Sequence, residues 1–119
     1  MTKILYVQTS GPDTPERTYA PMILGATARA MDIEASVFFM IKGALLLKNG
    51  EAEKIQLGDF PPLKEMMDQA LAAGVTFYLC EQSVALFGLP KGDFIPEATV
   101  AGGATLNDLA LEADTVLSF

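Results

Sequence analysis

The sequence contains a single cysteine, Cys80, which is the side chain best suited to covalent chemistry. Cys80 closes the apolar run 75–80, and the residues after it turn into a short predicted helix. A helix N-terminus favours a thiolate over a thiol, and the thiolate is the nucleophilic form of cysteine. Glu81 opposes this effect, because a nearby carboxylate disfavours a second negative charge.

The position of Cys80 permits two interpretations. Free cysteine is among the most buried residue types, so a lone cysteine at the end of an apolar strand is often a packing residue. In open parallel sheets, however, ligands and reactive groups gather outside the carboxyl ends of the strands. Position alone therefore leaves Cys80 open as a packing residue or as a nucleophile.

The absence of histidine narrows the chemistry that this chain can perform. It excludes a Ser–His or Cys–His nucleophile pair within the chain, and it excludes zinc sites that contain histidine. Acid–base work would fall to carboxylates, lysines, tyrosines or the thiol. One cysteine also excludes an internal disulfide, which is consistent with a reducing, cytoplasmic location. We expect no metal and no organic cofactor.

Several residues near predicted strand ends could support Cys80. These candidates are Glu81, Gln82, Ser83, Lys42, Gly43 and Tyr19. Lys42 follows the second predicted strand and could place a positive charge near an anionic sulfur, although a solvated lysine is the more common case. Tyr19 could face Cys80 across the site, but core packing is the commoner role for such a residue.

The loop between the first predicted strand and helix is a candidate anion-binding segment. Its candidate residues are Thr9, Ser10, Gly11 and Thr14. A helix N-terminus can bind an anion, but Pro12 removes one donor and Asp13 adds repulsion. A capped turn is the alternative, with Thr14 as the N-cap before Pro15, or with Asp13 and Glu16 as a capping box.

Alternating apolar runs and helical periodicity predict the elements that position these residues. The predicted strands are residues 3–8, 34–41, 75–80, 98–101 and 115–119. The first predicted helix covers residues 15–31, and a helical turn is predicted within 43–48. A further helix begins at Pro61 and Pro62 and ends at Gly74. A short helix is predicted over 84–87, and a last helix is capped by Thr105. This order predicts an α/β fold, a three-layer α/β/α sandwich around a five-stranded, mainly parallel sheet.

Length and charge restrict the remaining functions. A chain of 119 residues predicts one domain, 1–119. The net charge of -7 makes nucleic-acid binding unfavourable, and no apolar run is long enough to predict a membrane span. A receiver domain would have an aspartate at the end of the third strand, where this chain has Cys80.

The stretch 74–83, Gly-Val-Thr-Phe-Tyr-Leu-Cys-Glu-Gln-Ser, followed by Gly88 and Leu89, resembles the DsrE/DsrF-like family, which includes the TusD-type sulfur-relay subunits. The resemblance extends over most of the chain, including the first strand and loop, Gly43, the region 100–104 and the closing segment 114–119. It implies a small α/β/α domain that assembles into homo-oligomers, as trimers or hexamers.

The resemblance also implies a task for the cysteine. In sulfur-relay members, a cysteine at the position matching Cys80 carries sulfane sulfur as a persulfide, received from a donor protein and passed to an acceptor protein. Some members have no known activity, so a non-catalytic oligomeric or small-ligand-binding protein with a structural Cys80 is the alternative. A weaker option is a flavin- or phosphate-binding domain that uses the loop 9–14.

Overall fold

A five-stranded sheet forms the centre of the protein, whose computed structural model describes Met1–Phe119. The strands are β1 (Lys3–Gln8), β2 (Glu34–Phe39), β3 (Thr76–Cys80), β4 (Thr99–Ala101) and β5 (Thr115–Ser118). Their order across the sheet is β4-β3-β2-β1-β5, and every neighbouring pair is parallel. The predicted parallel α/β fold is confirmed, and the carboxyl ends of all five strands meet at one edge.

Helices cover both faces of this sheet. They are α1 (Ala20–Ala30), α2 (Leu63–Ala73), α3 (Glu81–Leu86) and α4 (Gly103–Glu112), with 3-10 helices at Pro15–Arg17, Ile41–Leu47 and Ala52–Lys54. α1, α2 and the 3-10 helix Ile41–Leu47 pack on one face, and α4 packs on the other. None of these helices combines the length and apolar character needed to cross a membrane.

The side chains of the strands alternate between two apolar clusters. The larger cluster lies under α1 and α2 and includes the fully buried Val37, Phe39 and Phe77. The smaller cluster lies under α4 and consists of the buried residues Leu5, Phe38, Cys80 and Ala101. Because successive strand residues point to opposite faces, Leu79 belongs to the larger cluster and Cys80 to the smaller one.

The first helix begins later than the pattern predicts. A helix over 15–31 is predicted, but the structure has a 3-10 turn at Pro15–Arg17 and starts α1 at Ala20. Pro21 explains the difference, because proline lacks an N–H and is tolerated only in the first turn of a helix. Thr14 makes no side-chain cap, so the predicted cap at that position is wrong.

The predicted second strand is two residues too long. β2 ends at Phe39, and Ile41 has a φ of 55°, in the left-handed region. That conformation is incompatible with a strand and is rare for a β-branched residue. The chain turns there into the 3-10 helix Ile41–Leu47, which covers the predicted helical turn.

Two further helix starts differ from the sequence predictions. α3 begins at Glu81, directly after Cys80, whereas a start at Val84 was expected. α4 has Gly102 as its N-cap, and Thr105 lies inside the first turn rather than capping it. Gly74 does end α2 as predicted, with a φ of 101°, a conformation that glycine adopts without strain.

Candidate functional site at the carboxyl edge of the sheet

Cys80 is the last residue of β3 and the N-cap of α3. It is 6% exposed and packs in the smaller cluster with Leu5, Phe38 and Ala101. Its register partner on β4 is Ala101, so a small side chain stands beside the sulfur. The thiol is therefore at the predicted edge of the sheet, but it is largely covered rather than open to solvent.

The thiol has one polar partner. Cys80 Sγ donates a hydrogen bond to Gln82 Oε1, at 3.6 Å between the two atoms. Gln82 stands in the first turn of α3 and is exposed. The side chain in contact with the sulfur is therefore an exposed amide rather than a base or a cation.

Glu81 and Gln82 both extend toward the connection between β4 and α4. A Cβ added at Gly102 would lie 3.6 Å from Gln82 Nε2 and 4.0 Å from Glu81 Oε2. A Cβ added at Gly103 would meet no atom within 4 Å. These two glycines leave space beside the side chains that flank the thiol.

Ser83 fixes the start of α3 to the end of β2. The backbone N–H of Ile41 donates to Ser83 Oγ at 2.7 Å, and Ser83 is only 4% exposed. This bond satisfies an N–H that the left-handed turn at Ile41 removes from the strand ladder. Ser83, a predicted supporting residue, thus holds the segment that carries Cys80. Nothing in the sequence indicated its partner Ile41.

Lys42 and Gly43 lie where strand two ends, as predicted, but their contacts are with the β1 loop. Lys42 Nζ donates to Asp13 Oδ2 at 2.7 Å, and this hydrogen bond lowers the pKa of Asp13. No hydrogen bond or ion pair joins Lys42 to Cys80. A Cβ at Gly43 would collide with the carbonyl oxygen of Gln8, so this glycine permits close backbone packing.

The predicted anion-binding loop uses several of its donors internally. The N–H and the Oγ1 hydroxyl of Thr9 and the N–H of Ser10 all donate to the carbonyl of Phe119. The N–H of Thr14 donates to the carbonyl of Gly11, which is itself buried. These four donors are engaged within the protein, and an anion site formed by Thr9, Ser10, Gly11 and Thr14 stays a prediction.

Tyr19 belongs to the larger core cluster, on the face of the sheet opposite to that of Cys80. Its hydroxyl donates to the carbonyl of Pro61 at 2.9 Å, and its ring meets that of Phe60 edge to face. Burial raises the pKa of this phenol. The approach of Tyr19 to Cys80 is not seen, and the alternative of core packing describes its contacts.

A groove of about 240 Å³ borders the thiol-bearing segment on its outer side. It runs between α3, the edge strand β4 and the loop after α3. Its lining residues are Leu79, Glu81, Val84, Ala85, Lys91, Gly92, Phe94 and Val100. No group of three or more His, Cys, Asp or Glu side chains is arranged to hold a metal ion.

The sequence profile of the DsrE/DsrF-like family matches residues 2–119. The chain belongs to the DsrE/DsrF-like family. The chain is similar in sequence to the sulfur carrier protein DsrE2 of Allochromatium vinosum. The two are 27% identical, and the alignment covers 97% of this chain and 96% of the relative. Another is the uncharacterized protein MJ0760 of Methanocaldococcus jannaschii, 27% identical over 87% of this chain. The chain spans only 38% of the length of MJ0760.

Two solved structures share the fold of this DsrE/DsrF-like protein. The ychN protein of E. coli superposes with a TM-score of 0.83, covering 100% of both chains at 21% sequence identity. The conserved protein of unknown function BT1422 from Bacteroides thetaiotaomicron gives a TM-score of 0.64 at 16% identity, covering 98% of this chain and 94% of that one. At these identities the likeness concerns the fold.

Proposed function

We propose that this protein is a sulfur-relay component that carries sulfane sulfur as a persulfide on Cys80 and passes it to a partner protein. One observation carries the proposal. The chain matches a sulfur carrier protein over 97% of its length. The position of its only cysteine, at the carboxyl edge of the parallel sheet, is consistent with that match. That edge is where α/β proteins of this architecture gather their reactive groups.

The proposed reaction is an exchange of one sulfur atom between two thiols. The Cys80 thiolate attacks the outer sulfur of a donor persulfide, R–S–SH. A bond forms between Sγ and that sulfur, the donor's S–S bond breaks, and the donor leaves as the thiolate R–S⁻. Cys80 then bears –S–SH, and an acceptor thiolate removes the outer sulfur in the same way. No external oxidant or reductant enters, because one persulfide is made for each one consumed.

The surroundings of Cys80 suit a carrier that meets other proteins. Burial of the sulfur against Leu5, Phe38 and Ala101 would slow the attack of small thiols in solution on a loaded persulfide, so that its release requires an excess of reductant. The helix that follows Cys80 ends in exposed apolar side chains, with Leu86 as its last residue and Phe87 as its C-cap. Such side chains are typical of surfaces that contact proteins, and we expect them to take part in docking the donor and the acceptor.

Intact-mass measurement tests the proposal. After incubation with excess inorganic polysulfide and removal of the reagent, the protein is expected to gain the mass of one sulfur atom, and dithiothreitol should release it. Cys80→Ser should gain nothing. If wild-type protein gains no sulfur while Cys80 remains unreactive toward iodoacetamide in the native state, Cys80 is not a sulfur carrier.

The alternative function gives Cys80 a structural role. Its 6% exposure and its apolar neighbours are the observations that favour a packing residue in a non-catalytic family member. The alkylation measurement distinguishes the two functions, since a packing cysteine would react only when the protein unfolds. Assembly into a homo-oligomer, a trimer or hexamer, stays a prediction that light scattering on the purified protein can test.

A further inference from the structure

The amide of Gln82 offers two opposite hydrogen-bonding groups to the sulfur of Cys80. In the structure, Gln82 Oε1 accepts from the Cys80 thiol at 3.6 Å. The same amide carries a nitrogen with two N–H donors. Half a turn about the last side-chain torsion exchanges the oxygen and the nitrogen in nearly the same position. A thiol requires an acceptor, whereas a thiolate or persulfide anion requires a donor.

The structure leaves Gln82 free to make this exchange. The residue is exposed, and its recorded side-chain hydrogen bond is the one to Cys80. Gln82 Nε2 lies close to Gly102, and a Cβ added at Gly102 would be 3.6 Å from it. Because Gly102 has no side chain, this space beside the amide is open. No lysine or arginine forms an ion pair or hydrogen bond at Glu81 or Gln82, so the amide of Gln82 is the one side chain in hydrogen-bond contact with the sulfur.

We propose that Gln82 serves both states of the reacting sulfur, accepting from the resting thiol through Oε1 and donating to the thiolate and to the persulfide anion through Nε2. The inference rests on the proposed function, whose chemistry passes through these anions. When the proton leaves Sγ for solvent, the amide turns and its N–H replaces the lost S–H···O bond.

Two substitutions separate the donor role from simple covering of the thiol. Gln82→Glu has nearly the same shape and can accept a hydrogen bond, but as a carboxylate it cannot donate one. Gln82→Met fills similar space without charge and without either group. In Gln82→Glu the donor is lost and a carboxylate is added beside the sulfur, and the two effects together should slow native-state alkylation by iodoacetamide about tenfold. In Gln82→Met we expect a smaller slowing, about threefold, since no repulsion is added.

A matched control removes the effect of net charge. Gln56→Glu adds the same carboxylate at an exposed glutamine whose amide donates to Phe60, near the larger core cluster. This variant should be alkylated at the wild-type rate. The ultraviolet absorbance of the thiolate, recorded at one fixed pH, should fall in the same order as the rates, with wild type highest and Gln82→Glu lowest. If Gln82 only covered the thiol, this absorbance would be unchanged in Gln82→Met, the variant that adds no charge beside the sulfur.

Sulfur loading keeps the inference distinct from the function on which it rests. If wild-type protein loads sulfur and both Gln82 variants match it in alkylation rate and thiolate absorbance, the role of Gln82 is refuted while the carrier function stands. If Gln82→Met reacts faster than wild type, Gln82 is a cover and the donor role is likewise refuted. If wild-type protein takes no sulfur but the alkylation order holds, the amide stabilises the thiolate and the carrier function fails.

Discussion

Gly43→Ala tests how tightly the 3-10 helix Ile41–Leu47, which follows β2, is packed against the end of β1. A Cβ at this position would collide with the carbonyl oxygen of Gln8 and lie 2.8 Å from its carbonyl carbon. These are backbone atoms of a central strand that pairs with β2 on one side and β5 on the other, so they cannot move aside as a flexible side chain would. The strain must instead displace the 3-10 helix Ile41–Leu47.

That displacement is costly because the helix is anchored in the larger core. Its residues Ala44, Leu46 and Leu47 are fully buried. Overpacking of a well-packed interior typically costs 1–3 kcal/mol, and a clash with backbone belongs at the upper end, so we expect a loss of about 3 kcal/mol in the free energy of unfolding. For a chain of this size, such a loss lowers the melting temperature by about 10 °C.

Gly103→Ala is the matched control. It makes the same substitution at a glycine where an added Cβ meets no atom within 4 Å, in the first turn of α4. Alanine is intrinsically more favourable than glycine in a helix, so the change should be neutral or stabilising by up to about 1 kcal/mol. Urea unfolding followed by circular dichroism measures both variants. Equal unfolding free energies for the two variants would refute the close approach of Gly43 to β1.

Three further perturbations follow from individual contacts. Ser83→Ala removes the acceptor of the Ile41 N–H and should lower the unfolding free energy by about 1–2 kcal/mol, measured by urea unfolding; a change near zero would show that this bond holds nothing. Burial raises the pKa of Tyr6, so the folded state holds its proton more tightly than the unfolded state. The stability linked to this proton is complete below about pH 10, the ordinary pKa of tyrosine, and is lost as the pH rises through the raised pKa of Tyr6 in the folded protein. The free energy of unfolding should therefore fall above about pH 10 in the wild type and fall less in Tyr6→Phe. Parallel curves of unfolding free energy against pH for the two proteins would contradict this. Lys42→Ala removes the hydrogen bond that lowers the pKa of Asp13. The stability that this bond contributes is present above the ordinary pKa of aspartate and is lost as the pH falls through the lowered pKa of Asp13 in the folded protein. Because both side chains are exposed, the loss at neutral pH should be small and salt-dependent, and a large, salt-independent loss in thermal unfolding would refute this view of the pair.

The sheet could be predicted because its strands are short apolar runs separated by helical periodicity. Strands covered on both faces show such runs, and alternation of strand and helix leads to parallel pairing. The position of Cys80 at the carboxyl edge followed from the same pattern. The order of strands could not be obtained, since the sequence does not reveal that β1 lies between β2 and β5.

Element boundaries failed where one residue overrode the pattern. Pro21 delays α1, and the left-handed turn at Ile41 ends β2 early. The hydrophobic pattern reveals neither effect, although the sequence does contain Pro21, and proline marks helix boundaries. Ile41 carries no such signal, because a β-branched residue is the least expected type at a positive φ.

The contacts of the candidate site depend on three-dimensional packing that local sequence does not encode. Gln82 and Ser83 follow Cys80 in the chain, so their proximity could be predicted, but their different partners could not. Lys42 was considered as a possible positive charge for an anionic sulfur, with a solvated lysine as the more common case. In the structure this exposed lysine pairs with Asp13, which the close approach of the β1 loop brings to it. Three donors of that loop, from Thr9 and Ser10, are satisfied by the carbonyl of Phe119, which lies 110 residues away from Thr9 in the sequence.

Peptide mapping of the sulfur-loaded protein tests the central claim most directly. After loading with polysulfide and capping of the free persulfide with iodoacetamide, trypsin should release a peptide spanning residues 65–91, which contains Cys80. The persulfide account predicts one extra sulfur atom between Sγ and the capping group on that peptide, released by dithiothreitol before capping. If this peptide carries only unmodified or directly alkylated Cys80 after loading, the protein does not carry sulfur on its cysteine.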